Sequence, residues 1–403
     1  MISQSTPLNI GIVGAGIGGL AAATLCAQSG HHVTLVERFA TPRALGSGLV
    51  LQPVGLAVLD EIGADARAFG ANITRMLGHA GRRKVLDVAY KPDALGLAIH
   101  RASLFSVLWH AATAAGITLE TGSACHAAPL SNGKRLILRD TADPLGPFDL
   151  VIDASGAGST LSPMQARPLH FGAVWGTVPW PNDTDLPRDQ LSQRYQAARH
   201  MAGVLPIGQL PGNPTPHAAV FWSLPRDKLD DWPNQDLTAW KAEVTQLWPQ
   251  MAPFLTALRT PADLTPARYS HGTLRRPYAE ALAFIGDSAH RASPQLGQGA
   301  NMALLDALAL REALRLPLAE ALPRYAQMRR WHVRAYQTMS AAFTPMYQSA
   351  STTLPFLRDH LLAPLATVWP VNRILTALVS GTMLPPIAGL YRQQSAGQPT
   401  PTR

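Results

Sequence analysis

Residues 8–38, LNIGIVGAGIGGLAAATLCAQSGHHVTLVER, decide the reading of this chain. Asn9 to Val13 is a short β-branched run, Ala21 to Gln28 is rich in helix formers, and His32 to Val36 is a second strand closed by Glu37. Between the first two lies Gly14-Ala15-Gly16-Ile17-Gly18-Gly19, which fits G-x-G-x-x-G. Glycines at this spacing allow a tight turn, close backbone approach to a pyrophosphate, and close packing of helix on strand. The free N–H groups of the helix start then meet phosphate charge. Glu37 stands roughly twenty residues on, the offset of an acid that hydrogen-bonds an adenosine ribose. A glycine-rich helix contact alone would leave Glu37 unexplained. Gly30 reads only as a helix C-cap.

Composition bounds the rest. The chain has 403 residues, 47% hydrophobic and 15% charged, so it can bury a sizeable core and is expected to form two or three domains. Its two cysteines, Cys26 and Cys125, match no metal-ligand spacing, so no metal site is expected and a reducing compartment fits. A net charge of +8 admits nucleic acid, an anionic membrane surface or an acidic ligand. The basic residues are scattered in short clusters such as Arg82-Arg83-Lys84 and Arg275-Arg276, without a basic face interleaved with aromatics, which argues against nucleic acid. No signal peptide is expected, since no basic region precedes the first apolar run and no cleavage site follows it. The location expected is cytoplasmic, with peripheral contact to the inner face of a membrane left open.

A second stretch, ALAFIGDSAHRASPQLGQGANMALLDALAL at 281–310, runs an apolar strand into Gly286-Asp287. That carboxylate is placed to accept hydrogen bonds from a polyol such as a ribityl chain. Pro294 to Asn301 then brings another glycine-rich turn to a helix start. A helix N-terminus carries roughly half a positive charge, which suits the anionic edge of a reduced flavin. The stretch therefore separates FAD from NAD as the bound dinucleotide.

Gly14-x-Gly16-x-x-Gly19, the pair Arg101 and Leu104 within HRASL, and Gly286-Asp287-Ser288-Ala289-His290 with Pro294 and Gly297-Gln298-Gly299-x-Asn301 follow one another over residues 8–335. In that order they resemble the three signatures of the FAD-dependent aromatic hydroxylases, the single-component flavoprotein monooxygenases. The resemblance implies an α/β fold: a Rossmann-like FAD-binding domain with an inserted antiparallel β-sheet substrate domain and a C-terminal helical segment. It implies FAD as cofactor, NADPH or NADH as co-substrate, and O2. The reaction implied is hydroxylation or epoxidation of a phenolic, polyketide or other conjugated small molecule through a flavin C4a-hydroperoxide. It puts Gly14, Gly16, Gly19 and Glu37, with Arg38 beside them, on the ADP half. Arg101 falls at the pyrophosphate and Asp287 at the ribityl chain. Pro294, Gly297, Gln298, Gly299, Ala300 and Asn301 fall around the flavin ring. Gly46-Ser47-Gly48-Leu49 resembles the family's glycine-containing segment beside the isoalloxazine, which adds Gly48. His290 reads as structural. No Cys or His lies in a recognised flavin-attachment motif, so non-covalent FAD is expected.

One motif departs. In DLVIDASGAGSTLS, 149–162, Ser155-Gly156 stands where the hydroxylases carry an Asp-Gly pair, Ser159 is kept, and Ser162 replaces an arginine. The pair is associated with cofactor and NAD(P)H contact. A flavin-dependent reductase, dehydrogenase or halogenase of the same superfamily therefore stays open as the alternative reaction class.

The expected organisation is a discontinuous FAD domain (1–75, 98–165 and 276–335), a substrate domain (76–97 and 166–275), a helical segment (336–392) and a flexible tail (393–403). Asn132-Gly133 predicts a two-residue hairpin in the FAD domain. Alternating aromatic runs such as HFGAVWGTVPW predict the antiparallel sheet. Tyr269, His271 and His217 are the catalytic candidates, with Trp175, Trp222 and Tyr195 as further pocket candidates; a packed aromatic or exposed histidine is the plain alternative for each. From Ala341 to Leu390 repeated prolines predict short amphipathic helices, packed on the FAD domain or forming a dimer contact or membrane-facing entrance. The chain is expected to be a monomer or homodimer acting on an aromatic or lipophilic small molecule.

Overall fold

The computed structural model describes residues 6–41, 46–140, 142–366 and 368–388. The expected tail at 393–403 lies outside them. Strand Asn9–Val13 pairs in parallel with His32–Glu37 on one side and with Leu150–Asp153 on the other. Thr118–Thr121, Leu282–Phe284 and Tyr278–Ala279 extend these to a six-stranded, mostly parallel sheet. Its central strands are apolar on both faces because both are covered: Ile10, Ile12 and Ile152 pack under helices, while Val13 and Val151 meet Ile137 and Phe148 of the ribbon strands Lys134–Arg139 and Leu145–Phe148. Helix Ile17–Gln28 is almost wholly buried, packed between the sheet and helices Arg101–Ala114 and Gly299–Ala313. That explains a first charged residue as late as Glu37 without a membrane span. The Asn132-Gly133 hairpin is present, with φ of 50° and 74° at its two turn residues.

An eight-stranded sheet, antiparallel except where Gln190–Gln196 meets Arg75–Ala80, forms the second layer. Alternation along its strands sorts the side chains into two faces. Val174, Val220 and Trp222 pack outward against helix Leu237–Leu247. Trp175, Met201, Phe221 and Tyr195 lie on the opposite face. A three-stranded sheet, Gly48–Leu51, Gly96–His100 and Ala71–Ile73, sits beneath.

Two expectations are corrected. Helix Leu318–Tyr347 runs unbroken through the boundary expected after 335 and carries Pro323 and Pro345 inside it. Each proline lies within two turns of a helix end, where the lost backbone hydrogen bond disrupts least. The short helices Thr353–Leu357, Ala363–Ala366 and Val371–Val379 lie chiefly along the substrate-sheet strand Arg83–Ala89, not on the FAD domain alone. Thr376 Oγ1 donates to the Ala89 carbonyl and Tyr347 Oη to that of Val85.

Candidate cofactor and substrate site

Two glycine turns and two helix starts converge at the carboxyl end of the parallel sheet. A β-carbon on Gly19 would sit 1.9 Å from the Gly14 carbonyl oxygen, and Gly14 itself has φ +101° with Ala154 against it. Gly16 differs, since nothing lies within 4 Å of where its β-carbon would be. Gly299 is open in the same way. Helices Ile17–Gln28 and Gly299–Ala313 both start without a side-chain cap and without an acid in the first turn. Their first N–H groups are left for an anion. Gly18 and Gly286 both pack against Ala303, so the two starts are neighbours.

Glu37, at its strand end, accepts from the backbone N–H of Ala15 at 2.8 Å and of Phe39 at 3.1 Å, bracing the first turn. Arg38 is exposed beside it, over the Phe39 ring. Arg101 opens helix Arg101–Ala114, its backbone N–H bonded to the Ser47 carbonyl. Its side chain is reached by solvent yet walled by protein. Burial pulls the guanidinium below its usual pKa, against the charge of Asp287. Asp287 is exposed on the turn after strand Leu282–Phe284, and only its backbone carbonyl is engaged, by Arg291. Pro294 begins a 3-10 turn closed by Gly297 at φ +61°. Gln298 caps the next helix and reaches the Val379 carbonyl at 2.6 Å. Ala300 packs on the core.

Two expected ring contacts have other duties. The Asn301 side chain accepts from Gln52 N–H and donates to the Val50 and Gly297 carbonyls, so it clamps the loop and only its backbone N–H remains free. Gly48 is held against the substrate sheet, where a β-carbon would lie 2.3 Å from Ile207 Cγ2. Two buried polar atoms beside the loop, Gln52 Nε2 and Gln298 Oε1, have no protein partner. Open cradles, uncapped helix starts, a cation and orphaned polar atoms fit a flavin dinucleotide.

The family model described as "FAD binding domain" matches residues 8–340. The chain belongs to the FAD-dependent aromatic hydroxylase family. It is 29% identical over 353 residues to 2-heptyl-3-hydroxy-4(1H)-quinolone synthase of Mycobacteroides abscessus, covering 82% of this chain and 88% of the relative. It is 28% identical over 356 residues to 3-amino-4-hydroxybenzoate 2-monooxygenase of Streptomyces cremeus, covering 80% and 85%. Its fold matches a crystal structure of 2-methyl-3-hydroxypyridine-5-carboxylic acid oxygenase with a TM-score of 0.76 at 20% identity, covering 93% and 96%. This hydroxylase is an oxidoreductase with FAD as cofactor.

The catalytic candidates of the hydroxylase part company. Tyr269 Oη accepts from the Trp175 indole N–H at 2.7 Å, and Trp175 stacks near Phe221. Burial pushes the Tyr269 phenol up to about 12, against that bond and the Arg101 charge. His271 Nε2 accepts from the Ser293 backbone N–H at 2.9 Å and lies 3.2 Å from Ser340 Oγ. Its acceptor nitrogen is thus spent pinning the substrate sheet to the loop before Pro294. His217 faces Pro179, four residues along strand Arg167–Pro179 from Trp175, or about 13 Å away. It bonds the Thr215 carbonyl and is buried beside His100. Trp222 points to the outer core, and Tyr195 stacks on Arg358 and Tyr347.

Sequence reading missed three polar features: the Ser47–Thr177 hydroxyl pair, 2.8 Å apart, the Gln52 amide, and the contacts of Met201 sulfur with Gln193 and Gln295. Ser47 and Gln295 lay inside quoted motifs and Thr177 inside a quoted strand run, but their pairings are long-range. The turn of the departing motif also keeps an acid. Asp153 Oδ1 accepts from Ser155 N–H and Oγ, and Oδ2 from Ser159 Oγ. Burial raises the Asp153 pKa, with the serine hydrogen bonds pulling the other way. His290 is structural, 2.6 Å from Asp306 in a buried cluster with Arg329.

Proposed function

We propose that the hydroxylase uses NADPH or NADH and O2 to hydroxylate or epoxidise a planar, electron-rich aromatic or conjugated molecule, held between the 294–301 loop and the inner face of the substrate sheet. Gly14, Gly16, Gly19, Glu37 and Arg38 would hold the ADP half of FAD, Arg101 the pyrophosphate, and Asp287 the ribityl chain. The backbone of Gly297 to Asn301 would hold the ring. Bound FAD supplies the redox chemistry and the activation of oxygen, while the chain binds, orients and excludes water.

The Trp175–Tyr269 bond carries this reading. Tyr269 accepts from the indole, so its own proton is free to donate. With its pKa near 12 it stays protonated at neutral pH and acts as a donor that orients a substrate oxygen, not as a base. His271, occupied by Ser293, is read as a positioning residue. Relatives named for a quinolone and an aminohydroxybenzoate support a hydroxylated aromatic or N-heteroaromatic ring. A monomer or homodimer, with peripheral membrane contact, belongs to the same reading.

Titrating the holoprotein with hydroxybenzoates and alkylated hydroxyquinolones should perturb the flavin spectrum. Tyr269→Phe should weaken the best ligand by about tenfold, one hydrogen bond's worth to a polar partner, with FAD content unchanged. Equal affinity in both proteins would remove Tyr269 from the pocket.

A further inference from the structure

Seven of the ten exposed large hydrophobic side chains among the described residues fall between 356 and 374. Phe356 and Trp369 are 64% and 69% exposed, and Leu361, Leu365, Val368 and Ile374 are about half exposed. They belong to the helices Thr353–Leu357, Ala363–Ala366 and Val371–Val379, the π-helical stretch Arg358–Leu362 that joins the first two, and the turn before the last. The opposite side of these same elements is committed. Ala363 packs with Tyr195 and Met201, Leu378 with Met302 and Val333, and the Val379 carbonyl takes the Gln298 amide. One side thus packs on both the substrate sheet and the helices of the FAD domain, while the other turns a run of apolar side chains to water. Single exposed apolar residues are ordinary, but a concentration of this kind marks a binding surface.

We infer that this face docks on an anionic phospholipid surface, lying in the interface without crossing it. The helical run Thr353–Ala366 and helix Val371–Val379 meet at 102°, and at about 21 Å and about 14 Å neither alone spans a hydrocarbon core of about 30 Å. Charge selects the partner. The strand Arg83–Ala89 runs beneath these helices, with exposed Arg82 and Arg83 at one end and Lys91 past the other, and Arg373 is exposed on the last helix. Among the acids nearby, Asp87 is held by Arg75 and Lys84, and Asp359 by Arg358, leaving Asp93. Aromatic and aliphatic side chains framed by basic ones match a lipid headgroup layer. A second copy of the chain fits less well, because a two-fold contact would bring the same positive rim against itself.

The inference deepens the membrane contact included in that reading and is independent of the proposed reaction. FAD-loaded full-length protein should co-sediment with vesicles of phosphatidylcholine and phosphatidylglycerol, and much less with phosphatidylcholine alone. Phe356→Ser/Leu365→Ser/Ile374→Ser should lower that binding by more than about tenfold, given the apolar area removed, with FAD content and solution mass unchanged. Arg82→Ala/Arg83→Ala should lower it less and flatten its dependence on salt. The inference is overturned if wild-type protein ignores both vesicles. It is equally overturned if the triple variant binds vesicles as well as wild type, or if its effect is to convert a dimer to a monomer.

Discussion

Asp153 and Ser155 show a turn that keeps a buried carboxylate at 153 while its motif lacks one at 155. The turn after strand Leu150–Asp153 lacks the family's aspartate at 155, yet a carboxylate lies 2.5 Å from the Ser155 hydroxyl because residue 153 supplies it. An added acid at 155 would therefore meet an existing one. Ser155→Asp is expected to cost about 1–3 kcal/mol by trading a hydrogen bond for like charge in a buried turn. Asp153→Ser/Ser155→Asp should recover most of it, and chemical denaturation of the three proteins would show the non-additivity. Asp287 makes a different kind of prediction, since no protein side chain occupies its carboxylate among the described residues. Asp287→Ala should loosen FAD by about tenfold or more with the fold's stability little changed, because charged hydrogen bonds to ligand hydroxyls are worth about 1.5–3 kcal/mol each. A flavin dissociation constant unchanged by the substitution would displace this residue from the site.

At the scale of elements, legibility followed locality. The strand, glycine turn and strand of 9–37 carry their instructions within thirty residues, as does the Asn132-Gly133 hairpin, so both could be read before any coordinates. The inner and outer faces of the substrate sheet could not. Period-two alternation separates Trp175 from Val174 and Phe221 from Trp222, but nothing local says which set faces the cofactor. The clamping duty of the Asn301 side chain was hidden for a related reason: its motif is local, while its partners Gln52 and Val50 lie some 250 positions away. The same distance hid Asp306, which joins Gly286 N–H, His290 and Arg329 and so ties the flavin-side turn to helix Leu318–Tyr347. Arg329→Met should cost about 3–5 kcal/mol, the penalty for stranding a buried charge, and should release FAD at lower denaturant than the parent. Gly48→Ala is expected to cost about 1–3 kcal/mol by overpacking against Ile207, with looser contact between the strand Gly48–Leu51 and the substrate sheet.

For the molecule as a whole, two imidazoles are held neutral where elements pack: buried His332 between helix Leu318–Tyr347 and Gly381, and half-buried His100 beside His217. His332 accepts from Arg329 at 3.3 Å through Nδ1 and donates to the Gly381 carbonyl through Nε2. Burial, then the Arg329 charge, lowers its pKa from 6.5 to about 3. Burial, then His217 and Arg101, lowers His100 from 6.5 to about 4. Each folded value lies below the unfolded one, so each stabilises fully above pH 6.5 and loses that contribution as pH falls through the folded values. Melting temperature measured at saturating FAD should therefore fall from pH 6.5 toward pH 4, and His332→Gln should flatten the slope.

The central claim is that this fold oxygenates a small aromatic molecule with electrons from NAD(P)H. Mass analysis of turnover under isotopically labelled dioxygen, using the ligand that most perturbs the flavin spectrum, tests it most directly. The account predicts that ligand accelerates NADH or NADPH oxidation and that the product gains a single labelled oxygen atom. A product that is reduced, dehydrogenated or halogenated with no labelled oxygen would contradict it.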